Sequence, residues 1–383
     1  MDRLVPRAVR AIEAPTGGGT QGERRPLTTR LLPRAVRKVL PALDPAEGLP
    51  EALAAMLEAT RSSGSFCRPT FRRRAKPEIL VDLDGTFLEG DSSVWAITAL
   101  LEESPTNPTV FQDRERASLR QGLKRLIDGG LVSAQDLASF GFHAQDTGEP
   151  THVGAAEQSG DATWGWGNWY SETKEVIAAA RQRDAHGLEE AIRAAVARPA
   201  FQAKVFDPMR TALQFLATRS QIVAVSGALD PVPTVVLASL LTPKNAAKEF
   251  LSDLRWTIFG RHMLQGSAMV IGASSARQID PYAAGKAPRV TEAVRAAKQA
   301  GTRVAALVVD SATGDGPAIL AAIDPADHEV NNASWLRVPV IVIVNANDEM
   351  HRFLAEHDRA LELWKNRGGQ LFHVKIPSPS SEG

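Results

Sequence analysis

The chain has 383 residues, enough for two domains and an extension, with 44% hydrophobic and 23% charged residues and no net charge at neutral pH. One cysteine, Cys67, excludes an intrachain disulfide and fits a reducing, cytoplasmic setting; the sequence holds no run of about 18 apolar residues that could span a membrane. The charge is uneven, with 15 Lys/Arg against 7 Asp/Glu over residues 1–76, but no interleaved aromatics support nucleic-acid stacking there.

In chain order, residues 1–33 carry prolines, the Gly17–Gly19 run and Arg clusters and read as unstructured, without the lysine and flanking strand of a phosphate loop. A helix is predicted over Pro50–Thr60. The whole of 1–75 is read as a basic, largely disordered extension that could tether the protein to a partner.

Four apolar runs follow: Ile79–Asp82, Gln221–Ser226, Val304–Asp310 and Val338–Val344. They are apolar throughout rather than alternating, as befits strands covered on both faces of a parallel sheet. Helical patterns over Met209–Ala217, Pro231–Leu241, Ala287–Gln299 and Ala318–Ile323 separate the last three, giving an α/β, doubly wound, Rossmann-like core over 76–105 and 205–383. The stretch FGRHMLQGSAMVIG reads as a small hairpin or loop decorating that core.

About 140 residues separate the first two strands. Helical patterns at Val94–Leu101, Arg116–Ile127, Ser171–Arg181 and Leu188–Val196, with no strong strand, predict an inserted helical cap domain over 106–204. Within it, TWGWGNWYSE either lines a pocket or packs the cap. His351 and His357 are six apart, too far around a helix for a metal pair.

Ligands of open parallel sheets collect at the carboxyl ends of strands. Three of the four runs end there in a polar group, namely Asp82, Ser226 and Asp310; Asp84-Gly85-Thr86 follows the first, and Gly285-Lys286 opens the helix before the third. Two carboxylates after a buried strand are costly unless paired, hydrogen-bonded or bound to a cation.

In this order, DLDGT, VAVSG, YAAGKAPRV and VVDSATGDGPAI resemble the four motifs of the haloacid dehalogenase-like superfamily, over about Glu78–Leu354. FLEGDSSVWAI and VNANDEMHRFLAEH are similar to its phosphoserine-phosphatase-like branch. The resemblance implies a Mg²⁺-dependent phosphatase of a small phosphomonoester, working through an aspartyl-phosphate. Asp82 is then the nucleophile and Asp84 the general acid and base. Ser226 and Gly227 hold the phosphoryl group, and Lys286 neutralises charge. Asp82, the Asp84 carbonyl, Asp310 and, less directly, Asp315 form the metal site. Asp91 either meets a substrate amine or caps the next helix. The pattern departs from the superfamily where Val309, not glycine, precedes Asp310, and where four residues separate Asp310 from Asp315. A phosphoryl transferase or mutase, and a non-catalytic binding module on the same fold, remain open.

Overall fold

The computed structural model describes residues 33–43, 45–62, 76–102, 110–143, 165–242, 263–264, 268–272, 286–323 and 338–377. Gly17–Gly19, Cys67, Trp164 and Gly285 lie outside the described residues.

Seven strands form one sheet: β1 (Glu78–Val81), β2 (Gln221–Ser226), β3 (Met263–Leu264), β4 (Ala268–Gly272), β5 (Val304–Val309), β6 (Val340–Val344) and β7 (Gln370–Val374). Their order is β3-β4-β2-β1-β5-β6-β7, and every neighbouring pair is parallel except β3 with β4. The runs predicted as central strands are central, and for the expected reason: β1, β5 and β6 are buried along their whole length. Within β1, Ile79 and Val81 belong to the apolar cluster on one face, while Leu80 belongs to the cluster on the other.

Helices cover both faces. Ala287–Gln299, Ala312–Ile323, Asp358–Lys365 and the amino-terminal part of Asp348–Glu356 close one cluster, Met350 being fully buried there. Leu49–Ser62 and Asp207–Ala217 lie against the other face. This is an α/β fold with a parallel core, and the doubly wound expectation agrees with it.

Three expectations need correction. Residues 33–62, read within a disordered extension, are part of the core. Leu49, Leu53 and Leu57 recur every four residues along Leu49–Ser62 and are buried against β5, β6 and β7. Their spacing makes one apolar stripe, and a stripe of that kind must be covered. The expected hairpin is present, β3 pairing antiparallel with β4, but it extends the sheet rather than decorating it, because β4 pairs in parallel with β2. Strand β7 was not anticipated; it is a half-exposed edge strand, so its sequence QLFHV lacks the continuous apolar signal of its neighbours.

Between β1 and β2 the described residues are helical: Ser92–Leu101, Asp113–Asp128, Ala134–Ala138, Trp166–Arg183, Ala185–Val196 and the short turn Pro199–Gln202. All ten residues of Ser92–Leu101 are buried, for this helix sits between Asp113–Asp128, Ala185–Val196 and Val232–Leu241. The apolar side chains of these helices share one continuous cluster with the adjoining sheet face. No helix among the described residues is long and apolar enough to cross a membrane.

Candidate active site

The chain leaves β1 at Val81 in the middle of the sheet, between β2 and β5. After β2 the sheet grows one way to β4, and β5 then starts the other side; the crevice at this reversal is where α/β sheets take ligands. Asp82, Ser226 and Asp310 therefore come together at three adjacent strand ends.

Asp82 is 4% exposed; its Oδ1 accepts from the Leu83 amide at 2.8 Å, and its Oδ2 pairs with the Lys286 ammonium. Lys286 also lies 2.8 Å from Asp315 Oδ1. Asp315 is fully buried, and its Oδ2 accepts from the amides of Asp310 at 3.2 Å and Ser311 at 3.3 Å. Thus Asp315 fixes both the lysine and the turn that carries Asp310. The predicted helix at Ala318 begins six residues earlier, at Ala312, which seats Asp315 in its first turn beneath the loop.

Asp84 Oδ1 accepts from the Ser92 amide at 2.8 Å. Between the two first-motif acids and the next turn, Gly85 has φ +73°, and a Cβ there would lie 1.9 Å from Asp310 Oδ2. No side chain fits that cradle, which explains the glycine after Asp84. The buried Thr86 points its hydroxyl at Asp310 Oδ1, 3.5 Å away. Ser226 Oγ accepts from the Ala228 amide at 3.1 Å, leaving its own proton to donate to a ligand.

The charges are unbalanced. Asp82, Asp310 and Asp315 bring carboxylate oxygens within 4.8 Å of one another, and this triad could hold a metal ion. Burial lifts Asp82 to about 6; Lys286 acts against the rise and Asp315 adds to it. Burial, with Asp91 and Asp82 nearby, drives Asp84 well above the usual carboxylate range. Asp310 moves the same way by burial and by the charges of Asp82 and Asp315. Burial alone would depress Lys286, but the two carboxylates outweigh it and hold the ammonium above its ordinary value. Several acids gathered around one lysine is a donor set of hard oxygens short of positive charge, which suits Mg²⁺ or a similar hard cation.

These groups open into a cavity of about 690 Å³ that also meets Asp84, Asp91, Ser226, Gly227 and Lys286. All the sequence-predicted site residues except Asp315 line it. Asp91 does cap Ser92–Leu101: its Oδ1 accepts from Ser93 at 2.9 Å and Val94 at 3.0 Å. Its Oδ2 takes the Tyr170 hydroxyl, so both oxygens are engaged.

The aromatic run divides between its two readings. Trp169 is core, 1% exposed, whereas Trp166 and Tyr170 line the cavity. Their spacing of four places them on one helix face, and that was the available signal. Sequence reasoning gave no role to Thr86, nor to Arg289, Ser311 and Thr313 at the cavity wall. His351 stacks on His373 at 5.8 Å rather than meeting His357.

Comparison of the chain with protein-family models, with curated proteins and with solved structures finds no match.

Proposed function

We propose that the chain is a phosphatase of the haloacid dehalogenase-like superfamily, acting on a small phosphomonoester. The observation that carries this reading is the meeting of Asp82, Asp84, Ser226, Lys286 and Asp310 in one cavity at the carboxyl ends of three adjacent strands. The helices between β1 and β2 are then that superfamily's cap, and the single cysteine fits a cytoplasmic enzyme.

On this reading Asp82 is the nucleophile. With its two oxygens oriented by the Leu83 amide and Lys286, its carboxylate attacks phosphorus as the ester oxygen departs, giving an aspartyl-phosphate. Asp84 gives its proton to the departing alkoxide, a role that burial and the neighbouring Asp91 and Asp82 favour by raising its pKa. It then takes a proton from the water that attacks the phosphorus and frees Asp82. The Ser226 hydroxyl and the Gly227 amide hold a phosphoryl oxygen, and Lys286 supplies a fixed positive charge beside the nucleophile. Mg²⁺ bound by Asp82, Asp310 and the Asp84 carbonyl would neutralise phosphoryl charge.

The test is phosphate release from p-nitrophenyl phosphate by the full chain with Mg²⁺. Turnover that EDTA abolishes and Mg²⁺ restores is expected. Turnover unchanged by chelation, or a fully active Asp82→Asn variant, contradicts the reading.

A further inference from the structure

Beyond the reacting groups, the outer wall of the cavity among the described residues has a distinct chemistry. Its apolar part is Trp95, Leu131, Val132, Trp166 and Tyr170. Four of its polar members already hold a partner. Asp91 spends both oxygens on a helix cap and on Tyr170. Ser133 Oγ caps Ala134–Ala138 through the Gln135 amide at 3.2 Å. Asp136 pairs with the buried Lys204 ammonium at 2.5 Å, and Arg289 pairs with Glu292 at 2.8 Å. A ligand ammonium would have to compete with Tyr170 and the helix amides for Asp91, whose two oxygens are both engaged.

The apolar wall is also held in place. Trp95 lies parallel to Phe140 with centroids 5.4 Å apart, and its indole N–H donates to the Glu89 carbonyl at 2.8 Å. Gly90, at φ +75°, lets the backbone close on that ring, since a Cβ there would come within 2.6 Å of it. Trp166 is only half-buried and leans on Tyr170 at 45° with centroids 6.3 Å apart, and Leu131 is 37% exposed. A rigid inner ring and two partly uncovered apolar side chains at the rim make a slot for a flat apolar group.

We infer that this site takes the phosphate ester of an alcohol bearing an aromatic ring, with the ring laid against Trp166 and Leu131 and the phosphate at Asp82. The inference rests on the phosphatase reading and adds to it the class of leaving group.

The experiment compares kcat/KM for 2-phenylethyl phosphate, ethyl phosphate and O-phosphoserine, using the full chain with Mg²⁺. These are all alkyl esters, so differences in leaving-group reactivity do not supply the preference. The phenyl ester is expected to exceed both others by about 10-fold or more, the effect of withdrawing one ring from water. Trp166→Ala is expected to bring that ratio down several-fold. Leu131→Asp, at an exposed position where folding is not at stake, is expected to do the same, with thermal melting confirming that each variant is folded. Equal or better turnover of O-phosphoserine or ethyl phosphate, or a ratio that neither substitution moves, overturns the inference while leaving the phosphatase reading intact. Failure to hydrolyse any of the three, or p-nitrophenyl phosphate, overturns both.

Discussion

Glu78 shows what an acid costs when nothing answers it. At the amino end of β1, away from the site, it is 6% exposed, its Oε2 has no hydrogen-bond partner, and burial raises its carboxyl from 4.5 to about 7. Between those two values the unfolded chain has released the proton and the folded chain still holds it, so stability falls as pH rises from about 4.5 to about 7 and is level above. Chemical denaturation at pH 5 and pH 8 is expected to show this loss, up to ~3 kcal/mol, and Glu78→Gln is expected to remove it. A variant with the same pH slope contradicts the assignment. At the site the same cost is met only in part, by Lys286 and by hydrogen bonds, and Asp315 anchors that lysine. Asp315→Asn keeps the shape but gives up the charge facing Lys286; phosphatase kcat is expected to fall by ~10-fold or more while Mg²⁺ dependence persists. Undiminished kcat would show that Lys286 needs no such support. The candidate site residues were legible in the sequence because strand-end acids and Gly-Lys stand in fixed local runs. The hydrogen bond between Tyr170 and Asp91 was not, since it joins residues 79 apart that share no local pattern.

At the scale of elements, Leu49–Ser62 was legible as a helix but its place was not. A leucine every four residues says that one face is covered and does not say by what, and the neighbouring basic residues suggested solvent. The structure puts that face on β5, β6 and β7, with Glu47 bridging to Lys375 beyond β7. Leu53→Ala is expected to cost about 2–5 kcal/mol in denaturant unfolding, the price of a cavity in a packed core. A change under about 0.5 kcal/mol, typical of a surface site, contradicts this packing. Truncating residues 1–75 to isolate an enzyme from a tether would therefore remove part of the core. Four of the helices between β1 and β2 were legible from their 3.6-residue periodicity, each starting earlier than predicted, whereas the short Ala134–Ala138 and Pro199–Gln202 were not. Their ends are set by caps, such as Asp91 for Ser92–Leu101 and Asp184 for Ala185–Val196, which periodicity alone does not locate.

Across the whole molecule, the central strands were read correctly because they are buried on both sides, while the half-exposed β7 escaped for want of that signal. The helices between β1 and β2 share an apolar cluster with the sheet, and polar clasps tie them to neighbouring elements: Arg181 with Asp230 at 2.6 Å, and Lys204 with Glu89 at 3.4 Å. All of this places one carboxylate, Asp82, at the centre of the fold and of the proposed chemistry. The most direct measurement is an acid quench of the full chain during turnover of a phosphomonoester with Mg²⁺, followed by peptide mass spectrometry. A phosphoryl group on the Asp82 side chain, removed by hydroxylamine and absent in Asp82→Asn, is the expected result. Steady hydrolysis with the phosphoryl group on another residue, or with Asp82→Asn turning over as fast as the natural chain, would contradict the account.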